Sequence, residues 1–170
     1  PMLVRSFLSA GVDTTVNGLG NALLCLAQNP AQMEKLHADP TLARSAFEES
    51  LRLESAVQTF FRTTPHDVVF DGLHIPQDTK VLTFLAAANR DPRAYAEPDR
   101  LDIERDGVAH LTFGYGIHFC LGAALARLEG RIALDEVLQR FPTWEVDVDN
   151  AVQARTSTVR GWERLPVLTG

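Results

Sequence analysis

The run Phe113-Gly114-Tyr115-Gly116-Ile117-His118-Phe119-Cys120-Leu121-Gly122, set directly before a long helical pattern, constrains this chain more than any other feature. Its glycines let the backbone lie close against something flat and large. A thiol at a helix start meets unpaired N–H groups and the positive end of the macrodipole, and both favour the thiolate. The other cysteine, Cys25, lies in an apolar helical run and reads as packing. Cys120 therefore reads as a single-thiolate ligand.

A lone cysteine is often a small buried hydrophobe, but three glycines and a histidine two residues upstream argue for a ligand here. Zinc needs further ligands at suitable spacing, and the sequence holds no such Cys/His cluster. A catalytic Cys–His pair stays open, because such pairs are made in space and not in spacing. Haem iron is the metal commonly held by one thiolate.

Length and charge set the outer bounds. The 170 residues suffice for one domain with a sizeable core. A net charge of −6 argues against nucleic acid, which calls for a basic face. No apolar run reaches the roughly 18 residues that span a bilayer. No signal peptide is visible, and two distant cysteines suggest no disulfide framework. The expectation is a soluble, cytoplasmic protein. Pro1-Met2-Leu3-Val4 runs straight into helical periodicity without a cap, which leads us to expect the C-terminal part of something longer.

The patterning predicts a mainly α fold with small β-sheets. One helix, apolar on more than one face and so expected to be buried, runs from Leu3 to about Gln28. Asn29-Pro30 should cap the next helix, with Gln32 completing a capping box. Asp39-Pro40 repeats the device for a helix to about Leu53. Phe60–Thr63 and Lys80–Leu85 read as strands, and Val68–Phe70 with Leu73–Ile75 as a hairpin around Asp71-Gly72. Residues 88–108 read as an ordered meander. A helix follows Cys120 to about Arg140, and short strands are expected near Trp144–Val148, Thr158–Arg160 and Pro166–Leu168.

Several further clusters carry chemistry. Gly11, Asp13, Thr14 and Thr15 are poor interior choices for a helix, and glycine costs about 1 kcal/mol against alanine. Back-bonded hydroxyls are one explanation; an acid and an alcohol that hand on protons are the other. Glu49 and Arg52 share a helix face, and such pairs contribute little when exposed. Arg62 is an edge-strand charge or a carboxylate clamp. Ser6 and Ala10 lie nearly in line with Thr14, Ser6 about 12 Å away along the axis, and Arg5 and Ser9 flank that stripe. An arginine and serines there suit an anionic group, although Arg5 at a helix start can also reach solvent.

The Cys120 run, with its Phe-x-x-Gly-x-His-x-Cys-x-Gly pattern, resembles the haem-binding loop of the cytochrome P450 family. The resemblance covers nearly the whole chain, against a family domain more than twice as long. It implies the C-terminal, haem-binding part of the P450 fold, with residues 1–170 as one portion of a single domain whose N-terminal half is absent. It implies haem b (iron protoporphyrin IX), with Cys120 as the iron ligand. Phe113 and Gly122 would line the haem loop, and His118 and Arg62 would meet propionates. Ala10–Thr15 resembles the family's oxygen-activation motif, which makes Asp13 and Thr14 the proton-delivering pair. Glu49 and Arg52, with Arg100 as partner, would form a buried ion-pair network supporting the loop. Ala88-Asn89-Arg90-Asp91-Pro92 matches a family segment taken as structural. His110 stands where the family often has histidine and is given no role.

The stretch Leu3–Gly11 and the run Val57–Thr64 are similar to bacterial members that oxidise para-substituted benzoates. This implies substrate contacts from Arg5, Ser6, Ser9, Ala10 and Val57. Ala56 and Trp162 depart from the proline and leucine common there, a change at the pocket floor. The implied activity is an O2-dependent monooxygenase that hydroxylates or O-demethylates an aromatic carboxylic acid. Electrons would come from a ferredoxin and an NAD(P)H-dependent reductase, and the full-length protein would be a monomer. A haem-binding sensor or carrier and an inactive fragment are the alternatives. Neither nucleic acid nor membrane is expected as a partner.

Overall fold

The computed structural model describes residues 2–107 and 109–169, apart from the side chains of residues 3, 6 and 7. Three long helices carry the architecture: α1 (Met2–Ala27), α3 (Ala43–Leu53) and α5 (Ala123–Arg140). Shorter α2 (Pro30–Ala38) and α4 (Leu85–Ala88) lie between them. Among the described residues, the strands pair as two-stranded antiparallel sheets. β1 (Thr59–Thr63) pairs with β4 (Lys80–Phe84), and β2 (Val68–Phe70) with β3 (Leu73–Ile75). β5 (Trp144–Val146) pairs with β8 (Val167–Thr169), and β6 (Val152–Gln153) with β7 (Trp162–Arg164). The β2–β3 turn is Asp71-Gly72 as expected, with φ of 48° and 78°, the left-handed pair a two-residue hairpin needs.

The α1–α2 junction departs from the expected capping box. Pro30 opens α2, and Asn29 stands at its cap position without a side-chain cap bond. The Asn29 amide donates back to the Cys25 carbonyl at 2.7 Å. One of the unpaired carbonyls at the end of α1 wins the side chain. Gln32 is drawn off as well, its Oε1 accepting the Ile103 N–H at 3.0 Å. Asp39 does cap, but it caps a 3₁₀ turn over Pro40–Leu42, so α3 begins only at Ala43. In the tail, Thr158–Arg160 forms no strand. Val159 makes a single bridge to Val57, and β6 and β7 flank that segment instead.

The core gathers the second half of α1 with α2, α3 and α5. Ala22, Cys25, Leu26, Leu36, Phe47, Leu51, Ile103, Leu134 and Trp144 are all buried in it. Gly130 sets the α3–α5 approach, because a Cβ there would lie 2.2 Å from the Phe47 ring. α1 is not buried along its length as its composition suggests. Val4, Leu8, Val12 and Val16, four residues apart, are all more than half exposed, whereas Asn21, Ala22 and Leu24–Leu26 are buried. Its apolar surface is thus split lengthwise between a packed half and a bare one.

Candidate functional site

The Cys120 loop is held by its own backbone. The Gly114 N–H donates to Leu111 O at 2.8 Å, Phe119 N–H to Gly116 O at 3.0 Å, and Cys120 N–H to Phe113 O at 2.8 Å. Gly114 and Gly116 have φ of +74° and +62°, a conformation that suits glycine. A side chain at Gly114 would also press on the His118 carbonyl at 3.2 Å. His118 ends a 3₁₀ turn over Gly116–His118, and α5 starts at Ala123. Cys120 is therefore an exposed free thiol just ahead of α5, whose first N–H, that of Ala123, donates to the Cys120 carbonyl at 3.2 Å. Cys25 is its opposite: burial pushes that thiol up to about 12, and it stays a packing residue.

Beneath the loop lies a fully buried polar cluster. Asn89 donates to Ser55 Oγ at 2.8 Å and to Thr112 Oγ1 at 2.9 Å, and its Oδ1 accepts the Leu111 N–H at 2.7 Å. Thr112 in turn donates to the Leu51 carbonyl at 2.8 Å. The base of the loop is thus bonded to the last turn of α3, with Asn89 at the junction. Arg90, next to it, donates to the Leu53 carbonyl at 2.7 Å and pairs with Glu54 at 2.7 Å. The Ala88–Pro92 segment does its structural work through these two side chains.

Glu49 and Arg52 form a bidentate pair at 2.8 Å with both side chains fully buried. Arg52 also donates to the carbonyls of Asn89, Pro98 and Arg100, and its guanidinium lies 5.1 Å from the Tyr95 ring centroid. The third charged partner is not Arg100. Arg105 reaches Glu49 Oε1 at 3.0 Å, while the Arg100 side chain turns outward to Glu97 and Asp102. Arg100 contributes its carbonyl only, because the turn at residues 97–100 points that carbonyl inward.

The α1 side of the site is exposed. Thr14 Oγ1 donates to Ala10 O at 2.8 Å, and Ser9 Oγ to Arg5 O at 3.0 Å. Both hydroxyls are back-bonded, and the helix runs unbroken past Gly11. The back-bonded Thr14 hydroxyl keeps lone pairs on Oγ1 that can accept from a proton donor. Asp13, Arg5 and Ala10 are exposed on the same stretch, and the Ser6 side chain lies outside the described residues. Val57 is half-buried against Val159. Arg62, in register with Val81, donates to the Phe61 carbonyl at 2.8 Å and lies 5.4 Å from the Phe60 ring centroid.

Ala56 and Trp162, the two departures from the family pattern, both make backbone or side-chain hydrogen bonds. Ala56 is buried, and its carbonyl accepts the Arg160 N–H at 2.7 Å. The Trp162 backbone N–H donates to Asn17 Oδ1 at 3.2 Å and its indole N–H to Asn21 Oδ1 at 3.0 Å. Trp162 is thereby fastened to the middle of α1.

A cytochrome P450 family model matches residues 2–161. The chain belongs to the cytochrome P450 family. It is 49% identical over 168 residues to cytochrome P450 CYP199A2 of Rhodopseudomonas palustris, covering 98% of this chain and 40% of that protein. It is 48% identical to a vitamin D(3) 25-hydroxylase of Pseudonocardia autotrophica, covering 96% of this chain and 41% of that one. Among solved structures, the himastatin-pathway hydroxylase HmtN superposes with a TM-score of 0.93 at 41% identity, over 98% of this chain and 45% of that one. The P450 chain thus spans about 40% of the length of the curated relatives it matches.

Haem, the family's cofactor, fits the residues present. An exposed thiol stands at a helix start, and the apolar side chains of Ile117, Phe119, Leu121, Phe60 and Phe61 are exposed on the two segments that carry the expected contacts. Those segments also carry His118 and Arg62, cationic or hydrogen-bonding groups suited to two carboxylates. No helix among the described residues is long and apolar enough to cross a membrane.

Sequence reasoning passed over Glu48, Arg105 and Arg127 and left His110 without a role. Glu48 accepts from His110 Nε2 at 2.8 Å and from Arg127 through Nε and Nη2. Burial opposes its ionisation, but the hydrogen bonds from His110 and Arg127 outweigh it and hold the carboxyl at about 2. These residues lie 62 and 79 positions apart, and no local pattern joins them.

Proposed function

We propose that this chain is the cysteine-ligating part of a haem monooxygenase that oxidises a small aromatic carboxylic acid. One observation carries the reading. A P450 chain presents an exposed thiol ahead of α5 and an acid–alcohol pair on α1, with Asp13 exposed and Thr14 half-buried. A packing cysteine and a purely structural helix need neither feature.

Cys120 would hold the iron, with its amide fixed on Phe113 O. His118 and Arg62 would bind the propionates. Haem, when bound, would supply O2 activation: with two electrons from an external donor and two protons, one oxygen atom would pass to the substrate and the other leave as water. Thr14 would accept a hydrogen bond at Oγ1 and so hold the proton donor in place, while Asp13 takes up solvent protons and passes them on. Arg5, Ser9 and Ser6 would orient an anionic substrate group, with Ala10 and Val57 as apolar contacts. Support for the substrate class rests on that polar set and on the likeness of Leu3–Gly11 and Val57–Thr64 to benzoate-oxidising members. A ferredoxin and an NAD(P)H-dependent reductase as electron donors, and a cytoplasmic location, rest on the same likeness.

The test is the carbon monoxide spectrum of the reduced whole protein that carries this chain. A red-shifted, thiolate-type band is expected, and its absence would sink the reading. Para-substituted benzoate should shift the ferric spin state, and Arg5→Ala should weaken that shift; benzoate without effect removes the substrate assignment alone. Thr14→Ala should uncouple O2 consumption from product. Unchanged coupling would favour a haem carrier or sensor. We further propose that these 170 residues alone are inactive and hold haem weakly, since the bare stripe of α1 favours aggregation. A soluble, monomeric, haem-loaded 170-residue product would overturn that.

A further inference from the structure

Phe113 is held at both ends. Its carbonyl accepts the Cys120 N–H at 2.8 Å, and its half-buried ring has three side-chain neighbours. The Arg127 guanidinium lies 4.5 Å from the ring centroid, the His110 ring 5.5 Å and the Phe119 ring 6.5 Å. Two of these three neighbours answer to one carboxylate. The His110 side chain is 1% exposed and donates to Glu48 at 2.8 Å, and Arg127 from α5 pairs with the same Glu48 on α3. The ring nitrogens of His110 are both assigned by their partners. Nδ1 accepts the Thr112 N–H at 3.2 Å, so Nε2 carries the proton given to Glu48. The Glu48 side chain is 13% exposed, so losing its charge would leave Arg127 without its carboxylate partner in a semi-buried place.

We propose that Glu48, with His110 and Arg127, positions Phe113 and through it the Cys120 amide, so that this carboxylate sets how firmly the thiolate is presented to iron. The inference rests on the haem-thiolate reading above. No bond to Cys120 comes from Glu48 itself, so it is a positioning residue. Partners one bond beyond a metal ligand often govern the ligand's orientation and electron density. Here the chain of contact runs from α3 through α5 and the loop to the ligand's own N–H. Glu48 also faces a surface crevice of about 450 Å³ shared with Arg44, Arg105 and Arg127. Its carboxylate is the acidic group among the three arginines of that crevice.

The experiment uses the whole holoprotein and compares wild type with Glu48→Gln, Glu48→Asp and Arg127→Lys. Glutamine keeps the shape and loses the charge. Lysine keeps the charge and loses the flat stacking over Phe113. Expected for Glu48→Gln is a fall of about tenfold in the ratio of thiolate-type to thiol-type carbon monoxide band. A shifted ferric/ferrous midpoint potential should accompany it, and Glu48→Asp should restore part of both. Arg127→Lys should move both readouts in the same direction, which keeps the test alive where Glu48→Gln does not fold. Variants with a lowered melting temperature but wild-type spectrum and potential would show a structural role only and overturn the inference. A wild-type protein without the thiolate band would fail the earlier reading, and the inference would fall with it.

Discussion

The two sides of the candidate site are built on opposite principles. Below the Cys120 loop, polar groups are buried and bonded: Glu49, Arg52, Ser55, Asn89 and Thr112 all find partners within the chain. Among the described residues, no buried side-chain nitrogen or oxygen lacks a hydrogen bond. On the α1 side, apolar groups are exposed: Val4, Leu8, Val12 and Val16 form a stripe, each more than half exposed. The first region encodes its own rigidity, because each buried polar group left unpaired would be costly. The second has no such internal determinant, and its side chains are free to be selected for what they contact.

The largest expected break in this contrast is Arg52→Ala. It takes the bidentate partner from the fully buried Glu49 carboxylate, leaving Arg105 as its remaining cation, and removes the Arg52 donors from the Asn89 and Pro98 carbonyls; it should cost about 3–5 kcal/mol by denaturant unfolding. Gly130→Ala drives a methyl into the Phe47 ring and should cost about 1–3 kcal/mol. Asn89→Ala leaves the Leu111 N–H without its acceptor, and should cost about 1–3 kcal/mol while increasing hydrogen exchange at that amide.

Acid provides a gentler probe. The Glu48 carboxyl titrates at about 2 in the folded chain against a reference value of 4.5. A group with a lowered folded pKa contributes stability that is present above its unfolded pKa and lost as pH falls through the folded one. Between about pH 5 and 2 the wild type should lose melting temperature faster than Glu48→Gln, since the variant lacks that titration. A parallel decline in both proteins would mean that Glu48 does not contribute. The smallest effect belongs to the bare side. Leu8→Gln should change unfolding free energy by less than about 0.5 kcal/mol, while lowering light scattering of the concentrated chain.

Local signals announced the elements well where glycine, proline or a cap punctuates them. The Asp71-Gly72 hairpin, the start of α2 at Pro30 and the helix after Gly122 all stand where the pattern placed them. β6 and β7 were not foreseen, because two or three residues carry no readable alternation. The family resemblance singled out Glu49 and Arg52 as a buried pair but pointed to Arg100 where the fold uses Arg105. Arg100 and Arg105 both sit in the same charged meander, and only the turn at residues 97–100 decides which side chain points inward. Glu48 was hidden for a related reason. It adjoins the recognisable Glu49, and its partners come from α5 and from the loop. Long-range polar pairing is a property of the packed chain, and periodicity does not encode it.

The fastening of the C-terminal strands to α1 has an optical consequence. The chain has two tryptophans, and both indole N–H groups are spent on neighbouring positions of that helix: Trp144 on Leu23 O and Trp162 on Asn21 Oδ1, each at 3.0 Å. Their emission therefore reports one event, the seating of the tail against the helix. Release of the tail would expose both fluorophores to water together and shift their emission to the red, with no label attached. Trp162→Phe would leave Trp144 as a single reporter on the buried half of the helix, and Trp144→Phe would leave Trp162 as one on the stretch nearer Thr14.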